Sequence, residues 1–149
     1  MYNLALIVHN FTRWLVLLAL TWALYQSWSG WIRKREWSQN DQRAAFTVMV
    51  IASIQLVFGL TLYFHPAGLA QAAWKDLSVA MKVYDFRFFG FEHPLQMIIG
   101  IVLIHFGYHR SKKAVTSNDK HRLAVIFFTL AAIAILTMIP WWRPLIRLF

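Results

Sequence analysis

LALIVHNFTRWLVLLALTWALY, residues Leu4–Tyr25, is an apolar run broken only by His9, Asn10, Thr12, Arg13 and Thr21. A helix rises about 1.5 Å per residue, so roughly 20 residues cross the ~30 Å hydrocarbon layer of a bilayer. This run is long enough, and three more follow at Ala44–Phe64, Phe88–Phe106 and Leu123–Ile139. Lipid offers the backbone no hydrogen-bond partners, which leaves helices or closed barrels as spanning structures. The runs lack the alternation of barrel strands. The expected fold is all-α, a polytopic membrane four-helix bundle with a short interfacial helix between spans two and three.

The composition agrees. The chain has 149 residues, 59% of them hydrophobic and 17% aromatic. Four spans consume most of that length, so residues 1–149 are expected to form a single four-span transmembrane domain without a separate soluble one. The formal net charge of +9 would point to nucleic acid in a soluble protein. Here the cations sit in the connections, where they meet lipid headgroups, so the expected partner is the lipid bilayer and no nucleic acid. With no cysteine, the chain has no disulfide, no covalently attached c-type haem, no cysteine-ligated iron–sulfur cluster and no copper thiolate. No Lys or Arg precedes Arg13, and the apolar run continues past any cleavage site, so the first stretch is expected to remain a helix rather than act as a removable signal.

Arg33, Lys34, Arg35 and Arg43 flank the first connection, and Arg110, Lys112, Lys113, Lys120 and Arg122 the third. In the second, Lys75, Lys82 and Arg87 are offset by Asp76, Asp85 and Glu92. The positive-inside rule places connections one and three in the cytoplasm and both termini outside. Ser38, with Asp41 three residues on, is expected to cap span two, and Ser117 to cap span four. Pro66 and Pro140 close spans two and four. Trp141 and Trp142 beside Arg143 fit an interfacial belt. Between spans two and three, Trp74, Leu77, Met81 and Tyr84 share one helical face. That pattern predicts the interfacial helix, either a surface tether or a lid over a cofactor.

Polar side chains at bilayer depth are costly and point to function. On the expected topology His9 and His93 lie one to two turns into their helices on the same side. Two imidazoles at one level are what a bis-histidine b-type haem requires as axial metal ligands. Arg13 lies one turn below His9 and calls for a counter-charge, either a haem propionate or Glu92. Gln55, Gly59 and Tyr63 follow i, i+4, i+8, while His93, Gln96 and Gly100 share a face. Gly59 and Gly100 would admit a flat ligand, or serve as helix-packing positions. His65 reads as interfacial. His109 and His121, beside Arg110 and Lys120, read as solvated or headgroup-facing, and His105 as bonding a neighbouring helix. His93 and His105 are about 120° apart around one helix, which disfavours a second stacked haem. H-E-x-x-H, a glycine-rich phosphate loop and a carboxylate pair within a span are all absent.

The segments His9-Asn10-Phe11-Thr12-Arg13-Trp14-Leu15-Val16-Leu17, Gln55-Leu56-Val57-Phe58-Gly59-Leu60, Glu92-His93-Pro94-Leu95 and Ile139-Pro140-Trp141 together resemble small bacterial four-span membrane proteins labelled cytochrome b or cytochrome b-like. The resemblance covers nearly the whole chain. It implies haem b and electron transfer in a respiratory membrane, with His9 and His93 as ligands and Arg13 as neighbour. Members carry a histidine two positions before the second-span glutamine, where this chain has Ser53. The expectation is a membrane electron-transfer subunit, not an independent enzyme, working with other membrane subunits of a respiratory complex in the bacterial inner membrane. Its cofactor-binding set is His9, His93, Arg13, Gln55, Gly59 and Gly100. Two alternatives stand beside it: a cofactor-free accessory or assembly subunit, and a small quinone-site protein.

Overall fold

The computed structural model describes residues 2–143. Its four long helices are α1 (Tyr2–Ile32), α2 (Gln39–Phe64), α6 (His93–Lys113) and α7 (Ser117–Thr137). A π-helical turn, Phe88–Glu92, leads into α6, so that Tyr84–Lys113 forms one long apolar rod. All four are long and apolar enough to cross a membrane. Leu4, Phe11, Leu18, Val57 and Ile133 face outward, each more than half exposed. Such a continuous apolar exterior is covered by lipid in a membrane protein. The expected all-α bundle is present.

The helices form a square. α1 packs against α2 and α7, and α6 packs against the same two, so α1 and α6 stand on a diagonal. Lipid is as apolar as leucine, so close van der Waals packing rather than hydrophobic exclusion holds such helices together. The core accordingly uses small residues, with Ala23, Ala44, Ala52, Ala124 and Ala131 buried around Leu20, Val48, Ile104 and Phe128. Two glycines bring α6 onto α7: a Cβ at Gly107 would lie 2.6 Å from Phe128, and one at Gly100 2.8 Å from Ile135. Gly100 is therefore occupied by a neighbouring helix. It serves packing and offers no room for a flat ligand.

The end carrying connections one and three is tightly clasped. α1 runs past Tyr25 to Ile32 and stops where Lys34 adopts φ 51°. The Ser38–Asp41 capping box forms as expected. The Arg35 guanidinium grips Asp41 with two bonds of 2.7 Å, and Asp41 is 2% exposed. Hydrogen bonding to Asp41 holds the Arg35 guanidinium above its ordinary pKa. Removing one partner of a buried pair strands the other charge. Asp41→Asn is expected to lower stability by about 2 kcal/mol, the partial loss left when the amide keeps the capping bonds. Urea titration of the detergent-solubilised protein measures it.

Two expectations at this end are corrected. The cap of α7 is Thr116, whose hydroxyl accepts from the Asp119 N–H at 3.1 Å. Ser117 instead joins the two connections, donating to Glu36 at 2.5 Å and accepting from the Trp37 N–H at 3.0 Å. His121 does not face headgroups. It is fully buried, its ring centroid 4.9 Å from that of Trp37, and it lies directly over Gly30. A Cβ at Gly30 would stand only 2.0 Å from the imidazole.

At the opposite end the second connection is helical but divided into α3 (Leu69–Lys75), α4 (Leu77–Lys82) and α5 (Tyr84–Arg87). Asp76 causes the first break. Its carboxylate accepts from the Ser78 and Val79 N–H groups at 3.0 and 3.1 Å, starting α4 afresh. Those bonds, with one from the Ser78 hydroxyl, hold the exposed Asp76 carboxyl below its ordinary pKa, so the cap is lost only as pH falls through that lowered value. Trp74, Leu77, Met81 and Tyr84 thus belong to three short helices rather than one, though all four remain exposed apolar groups.

Candidate functional site

Pro94 sets the start of α6. It has no N–H, and its ring crowds the carbonyl four residues back, that of Gly90. The chain answers by widening into the π-turn Phe88–Glu92. Tyr63 on α2 donates to the Gly90 carbonyl at 3.1 Å, and the Trp74 indole donates to the Tyr63 hydroxyl at 2.8 Å. A Cβ at Gly90 would lie 2.7 Å from the Ala73 Cβ, so glycine is what lets α3 lie against the turn.

This anchored turn presents His93 toward the end of α7. Its Nδ1 lies 2.8 Å from the carbonyl of Met138, the C-cap of α7. A carbonyl only accepts, so Nδ1 carries the proton and Nε2 keeps the lone pair. The ring is flanked by Phe88 and Phe89 at centroid distances of 5.6 and 6.0 Å.

His9 approaches from the diagonal helix α1. The Gln55 amide nitrogen on α2 donates to the His9 carbonyl at 3.0 Å and lies 3.3 Å from Nε2. Thr12, bonded to the Val8 carbonyl at 2.8 Å, also contacts Gln55 Oε1. The Nδ1 of His9 is buried and has no hydrogen-bond partner. Gly59 faces the same ring: a Cβ there would stand 3.4 Å from Cε1. His9 and His93 are within electrostatic reach of each other, and Arg13 of both. Arg13 is 9% exposed, with its guanidinium 5.7 Å from the Trp14 ring centroid. Glu92, the counter-charge considered for Arg13, pairs with Arg87 at 2.8 Å.

The structure thus gathers His9, Arg13, Gln55, Gly59 and His93 at one end of the bundle and leaves Gly100 outside. The buried residues of α2 end at Ala52 and those of α6 begin at Gly100, apart from the preceding π-turn. The helix halves that carry Gln55, Gly59 and His93 are therefore less deeply buried than the alanine-packed halves. Buried imidazole nitrogens are normally bonded, and one left without a partner costs about 1–3 kcal/mol.

The remaining histidines are placed otherwise. Both ring nitrogens of His105 are engaged, one by the Ile101 carbonyl at 2.9 Å and one by the Ser53 hydroxyl at 3.2 Å. The residue that departs from the resembling sequences is thus the partner of His105. His65 accepts from the Ala67 N–H at 3.2 Å and packs on Tyr2, while His109 is exposed. His121 was the residue sequence reasoning missed, and its signal was present: His121, Ala124, Val125 and Phe128 follow i, i+3, i+4, i+7. Among the described residues no group of three or more His, Cys, Asp or Glu converges as a metal site.

Two imidazoles on diagonal helices, one oriented by a carbonyl and one with a buried unpartnered nitrogen, lie at one end of the bundle. The fold defines the class: a multi-pass, all-helical, four-span membrane bundle. No family model, curated protein or solved structure matches the chain.

Proposed function

We propose that the chain is a membrane b-type cytochrome-like electron-transfer subunit, holding haem b between His9 and His93. The observation that carries this is the buried, unpartnered Nδ1 of His9, on a helix diagonal to the one bearing His93. Bound haem would supply a one-electron couple. The chain's own residues have separate tasks. The Met138 carbonyl fixes the tautomer and direction of the His93 ring. Gln55 ties the His9 backbone to α2, and Gly59 leaves space beside the His9 ring. Arg13 supplies the positive charge that would meet a propionate. On the positive-inside rule the site lies in the outer half of a bacterial inner membrane, both termini are outside, and exchange is with a periplasmic donor, a quinone or other subunits of a respiratory complex.

One observation favours a second reading. Thr12, Gln55 and the His9 carbonyl already form a polar tie between α1 and α2. A cofactor-free accessory subunit would use that tie to fix helix register.

The deciding measurement is the reduced-minus-oxidised absorption spectrum of protein expressed with ample haem, with haem quantified per chain. A sharp α band with about one haem b per chain is the expected result for a single bis-histidine site. A featureless spectrum from well-folded protein removes the cytochrome reading and leaves the accessory one.

A further inference from the structure

Away from this site, a groove of about 400 Å³ runs along the outward face of α6, with Phe127 of α7 as its wall. Its floor is Ile98, Val102, Leu103 and Phe106, and its end toward the basic connections is Arg110. Phe106 stacks on Phe127 at 6.1 Å between centroids and 22° between planes, giving a flat aromatic flank. From Ile98 to Arg110 the helix rises about 18 Å, close to the ~15 Å depth of one leaflet. An acyl chain has the length and chemistry for the apolar part, and Arg110 marks the depth of a phosphate.

Charge complementarity names the occupant. Around Arg110, the exposed Arg33, Lys34, Arg43, Lys112 and Lys113 share the same end of the bundle. The Arg35 charge there is already neutralised by Asp41, and Arg122 lies 3.3 Å from Asp119.

We infer that the α6–α7 groove is a binding site for an anionic phospholipid of the leaflet at the basic end, with Arg110 holding the headgroup phosphate and Leu103, Phe106 and Phe127 holding one acyl chain. A juxtamembrane cation favours an anionic headgroup by about fivefold. The site is independent of the histidine pair, so it stands or falls apart from the cytochrome reading.

The test is native mass spectrometry of protein released from vesicles holding equal phosphatidylglycerol and phosphatidylcholine. Wild type is expected to retain phosphatidylglycerol about fivefold over phosphatidylcholine, and Arg110→Ala to reduce the ratio to near one. Val102→Trp, at an exposed groove position, fills the groove and keeps every charge, and should also abolish retention, while Lys75→Ala at the opposite end of the bundle should leave it unchanged. Arg110 and Val102 are both exposed on the outward face of α6. Equal retention of the two lipids by wild type overturns the proposal. Retention unchanged by Arg110→Ala overturns the headgroup assignment, and retention unchanged by Val102→Trp overturns the groove.

Discussion

On the haem reading, His9→Ala and His93→Ala are each expected to weaken haem affinity by more than about tenfold in a haem titration, and the double variant to weaken it little further. Loss of a group that merely orients a metal ligand already costs 10–100-fold in affinity, so loss of a ligand sets that range as a floor. The near-equality of single and double variants follows because a ring gripped from two faces is released when either grip fails. His105→Ala is the matched control. It too removes a histidine bonded to a carbonyl and to a polar partner, Ile101 and Ser53, but from the part of α6 beyond Gly100. Haem affinity in His105→Ala should stay at the wild-type level. Equal loss in all three single variants would mean that general destabilisation empties the protein, and the ligand assignment would fall. No loss in the His9 and His93 variants would end it directly.

Gly30→Ala is expected to destabilise the protein by about 3 kcal/mol, near the top of the range for overpacking. The reason is the absence of slack. The new methyl would stand 2.0 Å from His121 Cε1 and 2.3 Å from Nδ1, while Trp37 lies against the imidazole at a centroid distance of 4.9 Å. His121 is fully buried, so the ring has no solvent to swing into. Neither of its nitrogens has a partner with hydrogen-bond geometry, although the Arg35 and Glu36 backbone lies near. The ring fills the space between Gly30 and Trp37 beside that backbone. Gly30→Ala combined with His121→Ala should recover most of the loss, giving a coupling of about 1–3 kcal/mol between the two positions. Thermal unfolding of the four proteins in one detergent measures the cycle. A wild-type melting temperature for Gly30→Ala alone would contradict this packing.

The spans were legible because hydropathy over about 20 residues is a property of the segment itself, needing no partner. The Ser38–Asp41 box was legible for the same reason, as it closes within three residues. The cap of α7 was off by one position because Thr116 and Ser117 are both hydroxyl residues. The spacing to Asp119 favours Thr116, and Ser117 is drawn away by Glu36 and Trp37 across the neighbouring connection. The segment from Trp74 to Tyr84 carried a correct apolar face, but the local pull of the Asp76 cap broke the helix that the periodicity described. His121 was misjudged from its chain neighbours, Lys120 and Arg122, which a helix turns about 100° away to either side. Of the candidate site, the location of His9 and His93 at the same end of the bundle was readable from topology. The Gln55 tie and the Met138 carbonyl were not, since both depend on rotations of whole helices that no single segment encodes. Gly100 could not be told from Gly59 by sequence. Only the structure separates a glycine filled by Ile135 from one facing an imidazole.

The π-turn before His93 makes the chain sensitive to length at that point. A π-turn accommodates one residue more than a plain α-helix over the same path. Loss of a single residue within Phe88–Glu92 would let the helix close to regular geometry and turn everything ahead of it by about 100° relative to α6. That rotation would carry Asp85 away from Arg143, which it meets at 2.6 Å, and Gly90 away from Tyr63. His93 would keep its neighbours on α6 but lose the fixed platform that aims it at Met138. Substitutions in this stretch are local events, whereas an insertion or deletion there shifts the phase of one half of the rod against the other.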